Sequence, residues 1–486
     1  MNRNIEILIF GILYISILIL LVGNGMIMFA GIMAVSLFAL QLLRLNEKLL
    51  YWIFFFGASS AVLPVSTFKT IPVAMFLQML FIGKTILDWI LLPNTRLRPI
   101  FTDFMLIGMI GLLLLTANVR GAGFYSFGGG ATGGAEYMVR IIGVLFLLVA
   151  AVYVRNHEFS PKRAMQYFLY GTILNVTINV AVRAIPSLGG LLSRYFSMQL
   201  ENASWVALDG VGARRLPFLG ALPIALLPFV MNRKKFSKRI FGGVICLLLC
   251  MMTGFRSGMV GIALMLVVAE IYMYRLTAMK VIIGAVIGFF SMAAAWVFAP
   301  YLGFRIQRVL VAIPGFESRV SADVAFDVSQ STEWRLNLYE ECLNRIPDYL
   351  LIGRGFGDSV EDIVSMFYSF AAGGRAADLY FMTHSYHLAI FDLLIDFGGM
   401  VTLFFLFSIM YAISKARKYE FPVDSFEKYA IAYLIAALVC IVTIWSNFQG
   451  RVLYITMAYI IVNSFLFSPR RRDSDGLKTA IPVEAA

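Results

Sequence analysis

The chain has 486 residues, of which 60% are hydrophobic and 14% charged, and its mean hydropathy is +0.82. Soluble domains contain about 45 to 50% apolar residues, so this composition excludes a soluble globular protein. The formal net charge is +12, but the basic residues are scattered over many short segments, which argues against a nucleic-acid-binding face.

Nearly uncharged runs such as 5–21, 141–154 and 281–298 are long enough to cross roughly 30 Å of hydrocarbon as helices. They lack the alternation of barrel strands, so the predicted fold class is an all-α polytopic membrane protein. The first run follows a single cation, Arg3, and has no small-residue cleavage site, so we expect it to stay uncleaved. About 14 transmembrane helices are predicted, near 5–22, 25–43, 50–66, 71–92, 99–117, 137–154, 164–184, 216–231, 240–254, 257–274, 280–300, 386–413, 429–446 and 452–468.

Alternate connections between these runs are rich in lysine and arginine, from Arg44 and Lys48 near the start to the arginines of the tail at 470–472. Short basic loops stay cytoplasmic. Both termini are therefore predicted to be cytoplasmic. No cytoplasmic connection exceeds roughly 15 residues and the phosphate-loop pattern is missing from the sequence, so ATP and sugar nucleotides are not expected as direct substrates.

The opposite, exterior face has a different cation composition, with a single lysine, Lys69, and many arginines. A solvated surface would use both residues, whereas arginine adds a planar fork that binds phosphate through two hydrogen bonds. As a set, these arginines predict an anionic ligand outside the membrane; for any one of them, packing or a carbonyl contact remains an alternative. They are Arg120, Arg140, Arg183, Arg194, Arg214, Arg215, Arg256, Arg305, Arg308, Arg319, Arg335, Arg345, Arg354, Arg375 and Arg451.

The longest exterior connection, 302–385, is predicted to contain helices of its own. Ser331 and Thr332 are suitable caps for a helix that starts at Glu333 and stops at Pro347. A second amphipathic run covers 358–370, and both helices are expected to lie on the membrane surface or to cover a cavity.

The four cysteines predict neither a disulfide framework nor a zinc site. Cys246, Cys250 and Cys440 lie in apolar runs, and only Cys342 is placed where it can face outward.

Three stretches on the predicted exterior side follow one another along the chain. The first, TGFRSGMVGIALMLVVA (253–269), is a turn of small residues and an arginine that leads into an apolar helix. The second, EWRLNLYEECLNRIPDYLLIGRGFG (333–357), has an arginine, a helix, a proline and a glycine-rich turn. The third, HSYHLAIFDLLIDFGGMV (384–401), has a histidine at the outer end of a helix and an acidic-glycine break about eleven residues on. Together, and with a fainter match in ARRLPFLGALPIALLPF (213–229), they resemble the bacterial O-antigen polymerase and O-antigen ligase superfamily.

The resemblance implies a membrane-embedded, metal-independent glycosyltransferase without a cofactor that uses an undecaprenyl-diphosphate-linked oligosaccharide as donor. Polymerases transfer the growing chain to the next lipid-linked repeat unit, and ligases transfer it to lipid A-core. The resemblance also implies the bacterial inner membrane as the location, with a chain-length regulator and a flippase of the same pathway as partners. The sequence favours the polymerase, because 14 spans exceed what we expect of a ligase.

The resemblance divides the chain into four regions. Residues 1–212 are N-terminal transmembrane helices with a weak family match, and 213–413 form the polymerase- or ligase-like core, including the exterior loop 302–385. The last two transmembrane helices occupy 414–468, and 469–486 form a cytoplasmic tail.

Arginines are the predicted ligands of the donor diphosphate. Arg256 lies in a short turn between two spans, at the membrane surface where a lipid diphosphate lies; a helix-end or headgroup contact is the alternative. Arg335 is predicted to open the loop helix, and a helix start with an arginine is a good anion site. Arg214 and Arg215 are further candidates, although adjacent side chains rarely point the same way.

The predicted catalytic base is His384 or His387, which lie where the long exterior loop meets the next span. If the segment is helical, their spacing of three places both on one face. The His-Ser dipeptide of the resemblance favours His384, whereas counting eleven residues back from Gly398 favours His387, so both stay open. A histidine that only hydrogen-bonds a neighbour is the alternative for either one.

Other polar residues are predicted to be structural. His157 lies in a basic cytoplasmic loop, and Lys84 and Asp88 are four residues apart on one span, where they can pair. Asp396 is costly inside a span and is therefore expected to be paired or functional. The cluster Asp358, Glu361 and Asp362 has the spacing of a solvated helix face rather than of a metal site.

A flippase of lipid-linked oligosaccharides is the rival hypothesis from a different class, since such carriers have a similar number of spans and cytoplasmic termini. They usually show two similar halves, with functional cations at the membrane midplane. In this chain one connection contains 84 residues and the cations lie on it, which favours an enzyme.

The topology is testable with reporters fused to the chain. We expect a fusion after residue 470 to be active only as a cytoplasmic reporter, and a fusion within 310–380 only as an exterior one, because of the distribution of basic loops. The reversed result would end the assignment of the arginines and histidines to the exterior.

Overall fold

The structure is a computed structural model that describes residues 46–66, 69–91, 99–120, 134–185, 187–192, 195–196, 216–274, 277–311, 313–356, 381, 384, 386–444 and 452–466. The chain divides into two compact units. One comprises 1–96 with 163–199, and the other comprises 97–162 with 200–486.

The described α-helices, in chain order, are α1 (Asn46–Ser59), α2 (Val73–Leu91), α3 (Phe101–Arg120), α4 (Gly134–Asn156), α5 (Pro161–Ala184), α6 (Ser187–Leu192), α7 (Ala221–Met231), α8 (Phe236–Met251), α9 (Arg256–Tyr274), α10 (Ala278–Phe298), α11 (Phe304–Leu310), α12 (Ala322–Tyr349), α13 (Ala389–Phe391), α14 (Gly399–Ala416), α15 (Phe426–Thr443) and α16 (Val452–Asn463). Short 3-10 helices cover Pro217–Gly220, Ala299–Tyr301 and Phe316–Arg319.

Seven helices of the described chain are long and apolar enough to cross a membrane, which supports a helical membrane protein. They cover Val73–Ile90, Phe101–Arg120, Glu136–Asn156, Arg256–Tyr274, Ala278–Tyr301, Gly399–Ala416 and Phe426–Thr443. Two shorter apolar helices are Phe218–Met231 and Val452–Asn463. The number 14 stays a prediction, because the first two predicted spans lie outside the described residues.

The predicted helix 50–66 is wrong in its second half, which forms a hairpin in the first unit. Helix α1 ends at Ser59, and Ser60 has a φ of +56°, which breaks the helical path. Strands β1 (Val62–Ser66) and β2 (Lys69–Pro72) then pair antiparallel, with Val62 opposite Pro72. Pro64 lies inside β1, and a proline in that position disfavours continuation of the helix.

The predicted exterior helix that starts at Glu333 is also wrong in its bounds, since α12 runs from Ala322 to Tyr349. Its buried residues continue one helical stripe through Val324, Val328 and Leu338, so packing overrides the capping preference of Ser331. Pro347 lies two residues before the end, where the loss of one backbone hydrogen bond costs little. The second predicted loop helix, 358–370, lies outside the described residues.

Helix α12 packs onto the segment that leads into α14. Leu338 and Cys342 form a buried cluster with Phe381, Tyr386 and Ile395. Cys342, predicted to be the cysteine that can face outward, is fully buried there, and burial raises the pKa of its thiol to about 12. The thiol is therefore an apolar packing group.

The predicted single helix 386–413 is interrupted. A π-helix covers Asp392–Phe397, Gly398 follows with a φ of +92°, and α14 begins at Gly399. A positive φ of this size is ordinary only for glycine, so the helix breaks at this position. Asp396, predicted to lie within a span, lies just before the break.

The glycine-rich turn after α12 packs directly on this break, backbone against backbone. Arg354 and Gly355 donate their amide hydrogens to the carbonyls of Ile395 and Asp396, at 2.6 and 3.1 Å. A Cβ on Gly353 would lie 2.3 Å from the Asp396 carbonyl oxygen, and one on Gly399 would lie 2.6 Å from that of Leu350. Only glycine allows this approach, and the approach fixes the position of Asp396.

We expect Gly353→Ala to lower the thermal unfolding midpoint of the purified protein, because the added methyl group forces the two segments apart. Overpacking of this kind costs on the order of 1–3 kcal/mol. The matched control is Gly111→Ala in α3, where an added Cβ has no atom within 4 Å and should not lower the midpoint. Equal midpoints for both variants would contradict the close approach.

Candidate functional site

His384 and Asp396 form a short, buried side-chain contact in the second unit. His384 Nδ1 lies 2.7 Å from Asp396 Oδ1, and the two side chains are only 7% and 3% exposed. His384 has a φ of +54°, a strained value for a residue with a side chain. Such strain persists where the surroundings impose it, as they often do at functional sites.

The hydrogen bond to Asp396 selects the tautomer of His384. A hydrogen on Nδ1 donates to the carboxylate, so Nε2 has the lone pair that can accept a proton. The buried carboxylate also stabilises the positive charge that the imidazole gains. A histidine oriented by a carboxylate is the arrangement expected of a general base.

Tyr386 completes this arrangement, and nothing in the sequence pattern indicated it. Its hydroxyl donates to the same Asp396 oxygen at 2.7 Å. Arg354 Nη1 lies 3.5 Å from the Tyr386 hydroxyl and donates to the Phe381 carbonyl at 2.7 Å. Tyr386 is fully buried, and burial raises the pKa of its hydroxyl, so the group stays a neutral donor.

His387 has a different environment. Its ring packs edge to face on Trp334, with centroids 4.9 Å apart, and its carbonyl accepts a hydrogen bond of 3.0 Å from the Tyr339 hydroxyl. Burial, and then the nearby charge of Arg335, lower the pKa of His387 to about 4. The imidazole is therefore neutral at ordinary pH and a weak base.

The two histidines would share one face only if the segment were helical, and this condition is not met at either residue. His387 has a φ of +56°, and the helical turn begins only at Ala389. The two rings therefore contact different parts of the structure, Asp396 and Trp334, although they are three residues apart.

Of the predicted diphosphate ligands that the structure describes, Arg335 lies on helix α12 and Arg256 lies beside it. Arg256 is the first residue of α9, and both of its terminal nitrogens lie 3.5 Å from Thr332 Oγ1 on α12. Arg335 is three residues after Thr332, so the two positions are neighbours on the helix surface. Arg335 thus lies in the middle of α12, and the expectation that it opens a helix is wrong.

A partly buried ion pair holds the turn that precedes Arg256. Arg308 is 4% exposed; its Nε lies 2.6 Å from Asp327 Oδ2 on α12, and its Nη1 donates to the Gly254 carbonyl at 3.3 Å. Thr253 Oγ1 accepts a hydrogen bond of 3.1 Å from the Phe255 amide. These contacts connect α9 to α12 and place Arg256 beside Thr332.

Several other arginines that are predicted to face the exterior contact groups of the protein itself. Arg120 donates to the Gly353 carbonyl at 3.2 Å, and Arg140 lies 3.0 Å from Glu136. Arg345 pairs with Glu341. For these residues the structure supports the packing alternative. Arg214 and Arg215 lie outside the described residues, as do Asp358, Glu361 and Asp362.

Two structural predictions are confirmed. Lys84 and Asp88 pair at 2.7 Å within α2. Asp396 is paired, as a carboxylate buried at this depth must be. His157 stacks on Tyr153 at the end of α4, with ring centroids 4.1 Å apart.

Comparison with known proteins relates this site to one family. Residues 241–406 match a family model described as O-antigen ligase. The match extends from α8 into α14 and includes Arg256, Arg335, both histidines and Asp396. The chain matches none of the curated proteins with which it was compared.

Proposed function

Because residues 241–406 place this protein in the O-antigen polymerase and O-antigen ligase superfamily, we propose that it is a metal-independent membrane glycosyltransferase. It polymerises undecaprenyl-diphosphate-linked oligosaccharide repeat units into a surface polysaccharide, an O-antigen or an exopolysaccharide, on the exterior face of the inner membrane. The contact between His384 and Asp396 inside the matched region is the observation that supports a catalytic site most directly. The partners expected of such an enzyme are a chain-length regulator and a flippase of the same pathway.

In this proposal His384 is the general base. Its Nε2 takes the proton from a hydroxyl of the acceptor sugar while the hydroxyl oxygen attacks the anomeric carbon of the donor. The new glycosidic C–O bond forms as the C–O bond to the diphosphate breaks, and the electron pair leaves with the diphosphate. Asp396 holds the ring in the required tautomer and stabilises the imidazolium that results.

Arg256 and Arg335 bind the diphosphate whose negative charge grows as that bond breaks. Both are next to the same stretch of α12, Arg256 through Thr332 and Arg335 as a residue of the helix itself. Cations already held in place before the reaction stabilise a leaving group without the cost of reorganisation. Arg214 and Arg215 remain candidates for the same role.

In this proposal His387 is a neutral residue of the site and not the base. With a pKa lowered to about 4 it is a poor base at neutral pH, because burial and Arg335 both oppose its protonation. The choice between the two histidines that the sequence leaves open therefore falls on His384.

An O-antigen ligase that transfers glycan to lipid A-core is the second candidate, since the matching family model has that description. Both enzymes need the same base and diphosphate ligands and differ in the acceptor. Chemical analysis of the surface polysaccharide of a deletion strain separates them: single repeat units on the cell indicate a lost polymerase, and none at all indicates a lost ligase or flippase.

The diphosphate ligands are tested by Arg256→Lys and Arg335→Lys. Lysine keeps the charge but loses the two parallel hydrogen bonds of the fork, so we expect each variant to lose polymer by about tenfold or more at a normal protein level. Arg319→Lys is the matched control, because Arg319 lies over the Trp296 ring and lysine keeps that cation–π contact. A wild-type amount of polymer in both site variants would indicate that Arg256 and Arg335 are surface charges and not diphosphate ligands.

The base is tested with purified protein in lipid, given lipid-linked repeat units without nucleotide or added metal. The wild type should lengthen the glycan, and His384→Ala should lower the rate by roughly 10²–10⁴ with substrate binding largely kept. His387→Ala is the matched control and should lose little, and the acidic limb of the pH–rate profile should disappear only with His384. An acidic limb near pH 4 that is lost in His387→Ala would instead make His387 the base. Movement of the lipid across the bilayer without any elongation would establish the flippase.

A further inference from the structure

Two hydrogen bonds meet on one oxygen of Asp396. His384 Nδ1 and the Tyr386 hydroxyl each lie 2.7 Å from Oδ1. Tyr386 is fully buried and Asp396 is 2% exposed, so water cannot replace either donor without a change in packing. The two donors therefore share the charge of a single carboxylate oxygen.

We propose that Tyr386 is a positioning residue that acts through Asp396 to set the pH range in which His384 accepts a proton. The proposal rests on the role of His384 as the base, which is itself proposed above. Tyr386 need not touch substrate for this role, since its hydroxyl donates to Asp396 and lies near the Arg354 guanidinium in the described geometry.

The direction of the effect follows from the electrostatics. A donor on a carboxylate oxygen stabilises the negative charge and weakens the attraction of that oxygen for any other proton or cation. With the Tyr386 hydroxyl in place, Asp396 attracts the imidazolium of His384 less strongly. Tyr386 thus keeps His384 neutral, and therefore active as a base, to a lower pH than Asp396 alone would allow.

Other charged and titratable groups face this network and must stay constant in a test. Arg354 approaches the Tyr386 hydroxyl from the glycine-rich turn, at 3.5 Å. The remaining groups come from helices α3, α4 and α12 and from the π-helix, and they are Arg120, Tyr137, Arg140, Glu341, Cys342, Arg345 and Asp392. Replacement of the Tyr386 hydroxyl alone leaves all of them in place.

The test reads the protonation of His384 directly. The chain has three histidines, so the double replacement His157→Gln and His387→Gln leaves His384 as the single histidine. With ¹⁵N-labelled histidine and a purification tag free of histidine, solid-state NMR of the protein in lipid vesicles follows the imidazole nitrogens as a function of pH.

In this background we expect Tyr386→Phe to raise the titration midpoint of His384 by roughly half to one pH unit, the size expected for one lost hydrogen bond. The ring and its packing on Phe381, with centroids 5.5 Å apart, are kept. Tyr386→3-fluorotyrosine, whose hydroxyl is a stronger donor, should lower the midpoint. Tyr339→Phe is the matched control, because that hydroxyl donates to the His387 carbonyl and not to Asp396.

Opposite shifts from the two Tyr386 variants, with none from Tyr339→Phe, are the expected result, because a packing effect would not change sign. Unchanged midpoints, shifts in one direction, or an equal shift from Tyr339→Phe would overturn the proposal. If Tyr386→Phe fails to fold, the fluorotyrosine variant still decides, since it keeps both ring and hydroxyl. The titration needs no substrate and therefore tests the network independently of the proposed function. If the expected shifts occur in a protein that does not elongate glycan, the proposed function is wrong and the effect of Tyr386 on His384 remains supported.

Discussion

The arrangement of the site depends on a carboxylate that has almost no contact with water. Asp396 is 2% exposed, and an ionised group buried to that extent is stable only if donors surround it. Its donors are His384 and Tyr386, which lie on a turn with strained backbone. The backbone of Asp396 is held by the glycine-rich turn, where Gly355 donates its amide hydrogen to the Asp396 carbonyl. Pairing of one carboxylate thus determines the orientation of the proposed base.

Helix α12 provides the second half of the site. Arg308 and Asp327 connect it to the turn before Arg256, and Thr332 contacts Arg256 itself. A few residues on, Trp334 packs on His387, and the core cluster of Leu338 and Cys342 joins the helix to Phe381, Tyr386 and Ile395. One long helix therefore relates the proposed diphosphate ligands to the proposed base. Its amphipathic stripe packs against the residues near the base, and the polar contacts of Asp327 and Thr332 hold Arg256 beside it.

His384 and His387 are residues of one type in two different electrostatic environments. His384 faces a carboxylate, which favours the charged imidazole, whereas His387 faces an arginine and apolar rings, which oppose it. A base that must take a proton near neutral pH needs the first environment. The second environment leaves His387 as a neutral ring beside the charged side chain of Arg335.

The sequence alone determined that the chain is a helical membrane protein, because long uncharged runs have no other stable form in lipid, and its motifs were sufficient to indicate the superfamily. It also identified Asp396 as a residue that is either paired or functional, from the cost of burying a charge. Only the tertiary structure decided its partners. Tyr386 and His384 reach Asp396 because a π-helix and Gly398 interrupt a segment whose apolar run predicts one continuous helix. The bounds of α12 and the place of Arg335 within it were likewise decided by packing against distant residues, which outweighs local capping and proline preferences.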